Sequence, residues 1–306
     1  MTTIAINGFG RIGRLFFKAA LHERSLSVKA INDLGDIENL AYLLRYDTAY
    51  GRFDESVSVK NGELVVGKAR VPFLQEKDPT QLPWKKLGID IVVESTGVFT
   101  DPAKAKGHID AGAKRVVISA PAKGEGAETV LIGANEEKLR ACTISSNASC
   151  TTNAASPLIG ILDEVIGIEK AVLNTTHAYT ASQALVDAPN AKDLREGRAA
   201  AQNMVPASTG AAKATALAYP QMKENFDGIS MRVPVPAGSM VDVTFIAKRP
   251  TTAEEVNAAL KAAAQNAKWK RVFSVTEEPL VSSDILGLPF GSIADLALTR
   301  VVGVIS

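Results

Sequence analysis

The stretch TIAINGFGRIGR, residues 3–14, constrains the fold more than any other part of the chain. A short apolar, β-branched run meets glycines at positions 8, 10 and 13, and a helix-like run, GRIGRLFFKAALHE (10–23), begins within them. The G-x-G-x-x-G spacing suits a strand, a tight turn and a helix. Gly8 permits the turn, Gly10 lets the backbone approach a pyrophosphate, and Gly13 allows the helix to pack closely on the strand. The helix start then offers unpaired N–H groups and a partial positive charge to an anion. Within the helix, Ile12, Leu15, Phe16, Ala19 and Ala20 form one apolar stripe, expected to be the buried face. Asp33 ends the next strand-like run, SVKAIND (27–33), twenty residues beyond Gly13. An acid there accepts hydrogen bonds from ribose hydroxyls and repels a 2′-phosphate, which favours NAD over NADP. The competing reading is a glycine-bearing turn that binds nothing. The agreement of strand, turn, helix, strand and Asp33 argues against it.

The same alternation continues to about residue 150. DIENLAYLLRY (36–46) reads as a helix, and VSVKNGELVVG (57–67) as a hairpin turning at Asn61-Gly62. DIVVEST (90–96) and KRVVISA (114–120) read as buried strands with a helical stretch between them. This order predicts an α/β fold: a doubly wound parallel sheet of Rossmann type. After Cys150 the texture changes. EKAVLNTTHAY (169–179), DGISMRVPVPA (227–237) and SMVDVTFIAKR (239–249) are longer runs, expected to be strands of an antiparallel sheet. TTAEEVNAALKAAAQ (251–265) reads as a helix with a capping box, Thr252 to Glu255, facing Val256, Leu260 and Ala263. Residues 179–203 follow no apolar period and are expected to be a long functional loop. The reading is therefore a nucleotide-binding domain over residues 1–149 and a second, α+β catalytic domain over 150–306.

Composition narrows the function. With 306 residues, 46% of them hydrophobic, the chain can bury two cores. A net charge of +1 gives no support for nucleic acid or an acidic membrane as partner. No apolar run approaches the ~18 residues of a membrane span, and MTTIAINGFG lacks the pattern of a signal peptide. The two cysteines, Cys142 and Cys150, form neither a CxxC pair nor a disulfide framework. A cytoplasmic, reducing location is expected. No metal site is expected.

Cys150 lies in SSNASCTTNAASP (145–157), among small polar residues and just ahead of an apolar run. A lone cysteine is often a small buried hydrophobe. At a helix start, unpaired N–H groups and the dipole favour a thiolate instead. The chain has three histidines. His22 ends the first helix and His108 lies in a polar helical stretch, so both are expected at the surface. His177 stands at a strand end beside the long loop, where it is either a structural residue or a base. Arg232 sits within an apolar run, ISMRVPVP, where an unpaired guanidinium is costly. Its partner is an anionic ligand or a structural carboxylate. Gly210 opens the helical run GAAKATALA, whose first N–H groups suit a phosphate.

NGFGRIGR, AIND, VESTGVFT, KRVVISAP, SNASCTTN, PASTGAAK and MRVPVP, in this order and from residue 2 to about 306, resemble the motifs of glyceraldehyde-3-phosphate dehydrogenases. The resemblance implies an NAD-dependent enzyme that converts glyceraldehyde 3-phosphate and inorganic phosphate to 1,3-bisphosphoglycerate through a cysteine hemithioacetal and thioester. It implies Cys150 as nucleophile and His177 as base. Cofactor contacts are implied at Gly8, Phe9, Gly10, Arg11, Ile12, Gly13, Asp33, Lys77, Ser95, Thr96, Gly97 and Ser119. Thr180, Ser182 and Arg232 are implied to hold the substrate's phosphate. Ser149, Thr151, Thr209 and Gly210, with Arg195 or Arg198 nearby, are implied to hold the attacking phosphate. A cytoplasmic homotetramer with residues 179–203 at subunit contacts is implied as well. An erythrose-4-phosphate dehydrogenase is the neighbouring alternative; PASTGAAK and HAYTASQ resemble the triose enzyme more.

Three positions depart from the family pattern. Ala154 stands where CTTNC would place a second cysteine, and Ala188-Pro189 where NAD-preferring relatives usually carry Leu-Pro. The family continues beyond the last strand with a WYDNE-type segment and a final helix, whereas the sequence ends at LTRVVGVIS. A chain ending there is expected to bind NAD more weakly or turn over poorly, and a catalytically impaired NAD-binding protein is the corresponding alternative.

Overall fold

The computed structural model describes residues 1–303; the last three residues of VVGVIS lie outside the described residues. The chain forms two compact units. One comprises Met1–Val130 and Glu137–Ala148, the other Leu131–Glu136 and Ser149–Ser306.

The first unit contains β1 (Thr2–Asn7), α1 (Arg11–His22), β2 (Leu26–Asn32), α2 (Ile37–Arg45), a short ribbon of β3 (Tyr46–Asp47) and β4 (Gly51–Arg52), then β5 (Val57–Lys60), β6 (Glu63–Val66) and β7 (Ala69–Leu74). It continues through α3 (Trp84–Leu87), β8 (Ile91–Glu94), α4 (Pro102–Asp110), β9 (Arg115–Ile118), β10 (Glu128–Thr129) and β11 (Ile144–Ser146). Nine strands join in the order β10-β11-β9-β8-β1-β2-β7-β6-β5. Every pairing from β10 to β7 is parallel, and β7-β6-β5 form an antiparallel edge. The hairpin between β5 and β6 turns at Asn61 and Gly62, both with positive φ, as Asn-Gly requires. Side chains alternate across the sheet. Ile4, Ile6 and Ile31 pack with Phe17 of α1 and Leu44 of α2, whereas Ala5, Ala30 and Val92 pack with Trp84 and Ala105 of α3 and α4. Helices on both faces make the sheet doubly wound, as the sequence predicts.

Two readings are corrected here. The buried face of α1 is Gly13, Phe17 and Ala20; of the expected stripe Ala20 is buried and Leu15 and Phe16 are partly so, while Ala19 and Ile12, the latter 52% exposed, face outward. A Cβ on Gly13 would lie 2.0 Å from the Gly8 carbonyl oxygen, so the helix is pinned to the sheet at Gly13 and its buried stripe starts there. His108 is not at the surface: on α4 it is fully buried, among polar partners that the polar texture of its helix concealed.

The second unit contains α5 (Cys150–Val165), β12 (Ile168–Ala178), β13 (Val205–Ser208), α6 (Ala211–Ala218), β14 (Phe226–Val233), β15 (Ser239–Ala247), α7 (Ala253–Gln265), and a parallel ribbon of β16 (Phe273–Thr276) with β17 (Ser292–Asp295). The sheet order is β13-β14-β12-β15. β13–β14 and β12–β15 pair antiparallel, while β12–β14 pair parallel, so the sheet is mixed rather than purely antiparallel. The long connection through β13 and α6 supplies the crossover that parallel neighbours need. One face packs on α5, α6 and α7 through Leu173, Phe226, Ile159, Ala212 and Leu260. The Thr252 hydroxyl accepts the Glu255 N–H, and Val256, Leu260 and Ala263 face inward, as read from the sequence. Residues 179–199 form a long loop, followed by one 3₁₀ turn at Ala200–Gln202.

The pinning at Gly13 predicts an asymmetry between two glycines of one motif. Gly13→Ala forces the helix off the strand and costs about 1–3 kcal/mol, as overpacking does. A Cβ on Gly10 meets nothing within 4 Å, so Gly10→Ala leaves the thermal midpoint nearly unchanged. Thermal unfolding of the two variants checks this.

Candidate active site

Cys150 is the first residue of α5, and His177 lies near the end of β12. The Cys150 Sγ is 3.1 Å from His177 Nε2, although 27 residues separate them. Ser149 caps the helix: its hydroxyl accepts the Thr152 N–H at 3.1 Å. The first-turn N–H groups of Cys150 and Thr151 have no intrahelical acceptor, so the helix start bears partial positive charge beside the sulfur. Just ahead, buried Ala148 takes φ 54, a left-handed conformation that costs an L-residue roughly 1–2 kcal/mol. Removal of water from the sulfur pushes the Cys150 thiol up, but the hydrogen bond and charge of His177, with help from Thr151, outweigh it and hold the thiol below its ordinary value. The bond from the sulfur pushes His177 up; burial and the Arg232 charge oppose this, and the Ala178 carbonyl adds to the rise. Both shifts favour a thiolate–imidazolium pair.

Strand register completes the site. His177 pairs with Arg232 on β14 and with Ser239 on β15. His177 Nδ1 lies 2.7 Å from Arg232 Nη1 and 2.6 Å from the Ala178 carbonyl oxygen. Nη1 also donates to that carbonyl at 3.1 Å. The ring is thus satisfied in two states. Protonated at Nδ1, it donates to the carbonyl; unprotonated there, it accepts from Arg232. Arg232 is half-buried, and its Nε has no partner. Among the described residues no carboxylate pairs with it, so the structural ion pair considered from the sequence is not present.

The remaining predicted residues are placed as follows. The Thr180 and Ser182 hydroxyls lie 3.0 Å apart just beyond β12. Gly210 is the N-cap of α6, and the Thr209 hydroxyl accepts the Ala211 N–H. Thr151 is 4% exposed, and its hydroxyl contacts that of Ser239 at 3.2 Å, so the side chain is turned inward. Ser239 also contacts the Thr175 hydroxyl, tying α5 to β12; nothing in the sequence near Ser239 marks it. Arg195 is exposed, while Arg198 pairs with Asp187 on the same loop.

In the first unit, the strand order reverses at β1, and the loops after β1 and β8 flank that point, where such sheets bind ligands. Gly8 has φ +93, and a Cβ there would lie 2.5 Å from the Thr96 nitrogen. Asp33 accepts the Phe9 N–H at 2.6 Å and the Gly35 N–H at 2.8 Å, bracing the turn. Phe9 itself is buried against Phe17, so it presents only backbone. Arg11 and Ile12 are exposed at the start of α1, which has no side-chain cap. Ser95 donates to the Gly8 carbonyl at 2.7 Å, Ser119 N–H to the Glu94 carbonyl at 2.9 Å, and Lys77 is exposed beyond β7.

Residues 2–102 match the family model of the glyceraldehyde 3-phosphate dehydrogenase NAD binding domain, and residues 149–305 match that of its C-terminal domain. The chain belongs to the glyceraldehyde-3-phosphate dehydrogenase family. Glyceraldehyde-3-phosphate dehydrogenase 1 of Streptomyces avermitilis is 49% identical, spanning 98% of this chain and 90% of that protein. The enzyme named glyceraldehyde-3-phosphate dehydrogenase 2 in Streptomyces arenae is 50% identical over the same shares. That of Clostridium pasteurianum is 47% identical over 99% of this chain and 90% of its own length.

The first unit fits the family's dinucleotide. The start of α1 leaves donors uncapped, and the positions a Cβ would take on Gly10 and Gly97 are open. Family members that carry a second cysteine in CTTNC would place it at Ala154, a helical position one turn after Cys150.

The cap on α5 yields a stability prediction. Ser149→Ala removes the acceptor for the Thr152 N–H and costs about 1 kcal/mol. Thermal unfolding should show a correspondingly lower midpoint, while Ser149→Asp, which keeps a cap, restores it.

Proposed function

We propose that this chain catalyses the NAD-dependent oxidative phosphorylation of glyceraldehyde 3-phosphate to 1,3-bisphosphoglycerate, with Cys150 as nucleophile and His177 as base. The observation that carries the assignment of roles is the 3.1 Å contact between Cys150 Sγ and His177 Nε2 at a helix start. The thiolate attacks the aldehyde carbon; a C–S bond forms, the C=O π bond breaks, and the oxygen takes the proton of the His177 imidazolium to give a hemithioacetal, leaving His177 neutral. NAD, when bound, supplies the hydride acceptor for the oxidation. His177 receives the proton of the hemithioacetal hydroxyl, and the carbon becomes a thioester on Cys150. Inorganic phosphate then attacks the thioester carbonyl. The C–S bond breaks, the sulfur departs as a thiolate beside the imidazolium, and the acyl phosphate leaves. The N–H of Cys150 at the helix start is the oxyanion donor.

Arg232, with Thr180 and Ser182, holds the substrate's phosphate; its unpartnered Nε and the lack of a carboxylate partner among the described residues support this. Ser149, Thr151, Thr209 and Gly210, with Arg195, hold the inorganic phosphate, Thr151 through its backbone because its hydroxyl is engaged by Ser239. The backbone from Gly8 to Gly13 holds the NAD pyrophosphate. Asp33 takes the ribose hydroxyls with the lone pairs its two backbone bonds leave open, and Lys77, Ser95, Thr96, Gly97 and Ser119 line the neighbouring strand ends. The names of the relatives favour the triose phosphate over the tetrose phosphate. The working form is a cytoplasmic homotetramer. Leu185, Val186, Leu194 and Met204 are exposed on and just after the 179–203 loop, and Val172, Ile229, Met240 and Ile246 on the sheet face opposite α5, α6 and α7, which supports burial between copies. No helix among the described residues is long and apolar enough to cross a membrane.

The test is NADH formation with glyceraldehyde 3-phosphate, NAD and phosphate. His177→Gln should lower kcat about 10²–10⁴-fold. Arg232→Gln should raise the KM for the triose phosphate roughly 10–100-fold, as expected for lost hydrogen bonds to a charged group. Faster turnover of erythrose 4-phosphate, or turnover unaffected by His177→Gln, would overturn the assignment.

A further inference from the structure

Beneath the loop that follows β8 lies a buried polar chain that the reaction itself does not use. In register at the ends of adjacent strands stand Glu94, Asn7 and Asn32. All three are buried, as is His108 above them on α4. Trp84 Nε1 lies 3.0 Å from His108 Nδ1. An indole N–H only donates, so Nδ1 accepts and the ring's proton sits on Nε2. Nε2–H then donates to Glu94 Oε2 at 3.1 Å. The Asn7 amide donates to the same oxygen, and the Asn32 amide donates to Asn7 Oδ1 at 2.7 Å. The other carboxylate oxygen of Glu94 receives the N–H of Thr96 at 2.8 Å and the Thr96 hydroxyl. That hydroxyl accepts the Val98 N–H at 3.0 Å. His108 grips the same segment a second time, with the Phe99 ring edge-on at 6.1 Å. At the other end, Asn32 holds both backbone groups of Glu76, immediately before Lys77.

We infer that His108, oriented by Trp84, is a positioning residue for cofactor binding: through Glu94 and Phe99 it sets the loop Ser95–Val98 from below. The upper side of that loop is open. Thr96, Gly97 and Val98 are exposed, and a Cβ on Gly97 meets nothing within 4 Å. Ser95 holds the start of the loop to the Asn7 and Gly8 carbonyls, and Glu94 and Thr96 hold the turn beyond it. The buried Glu94 carboxyl group accepts from four donors, and deprived of one it must find another or shift. Of its partners, the Thr96 turn lies at the surface, whereas Asn7 and His108 are buried. The inference rests on the reading of residues 95–97 as cofactor contacts.

The experiment measures NAD affinity, the KM for NAD and kcat in His108→Leu, His108→Gln, Trp84→Phe and Gly97→Val. His108→Leu should weaken NAD binding roughly tenfold, the effect of losing one hydrogen bond to a charged group. Its kcat at saturating NAD should stay close to that of the parent. His108→Gln, which keeps a donor toward Glu94, should recover much of the affinity. Trp84→Phe, which keeps the ring and loses only the N–H, provides the same readout if His108→Leu does not fold, with a smaller loss. A nitrogen-15 NMR spectrum of His108 should show the Nε2–H tautomer. If Gly97→Val weakens NAD binding while His108→Leu and Trp84→Phe leave it unchanged, the positioning role is wrong and the cofactor reading of the loop stands. If none of the three alters NAD affinity, that reading of the loop falls and the inference with it. An Nδ1–H tautomer also overturns the inference.

Discussion

The proposed chemistry depends on one contact, between a sulfur at the first turn of α5 and an imidazole near the end of β12. Neither group is unusual by itself. The helix start supplies N–H groups and partial charge, and the strand supplies a ring whose far nitrogen is already engaged. Together they move the thiol down and the imidazole up, so a proton resides on nitrogen rather than on sulfur more readily than in the separated residues. Ser149 fixes the helix start, Ser239 ties the helix to the sheet through Thr151, and β12–β14 register delivers Arg232 to the other side of the ring.

In the proposed reaction the far nitrogen of His177 keeps its proton. A base that accepts at Nε2 holds Nδ1–H in both its neutral and its charged form, and the Ala178 carbonyl accepts from that Nδ1–H at 2.6 Å. The Arg232 guanidinium serves Nδ1 in the other neutral tautomer, whose Nε2 already carries a proton. Because Arg232 also has an unpartnered Nε, it can serve the ring and a phosphate from different edges of the same plane. A lysine at this place, a point charge on a flexible stem, could not divide itself in that way.

What was legible in the sequence was what local chemistry decides. The Gly8–Gly13 turn, the Asn61-Gly62 hairpin and the Thr252 cap each follow from the residues at the spot, and each is found where read. What was not legible depends on neighbours far along the chain. The buried stripe of α1 follows from the closeness of Gly13 to the Gly8 carbonyl, not from the apolar count, so Ile12 is left exposed. His108 looks like a surface residue in PAKAKGHID because the carboxylate it pairs with is fourteen residues away on β8. The parallel pairing of β12 with β14 sets Arg232 opposite His177 across 55 residues, which no period in either run announces. The polar setting of Cys150 marks it in the sequence, but nothing local names His177 as its partner; the fold brings the two side by side.

The most direct test of this account is the ultraviolet absorbance of the thiolate, followed against pH with Cys150→Ser as the blank. In the parent, the Cys150 signal should develop below the ordinary thiol value of about 8.5. Replacing His177 by Gln should move the transition upward, because the hydrogen bond and charge that lower it are gone while the burial that raises it remains. Coincident transitions in the parent and the variant, both at the ordinary value, would contradict the claim that the imidazole holds the sulfur as a thiolate.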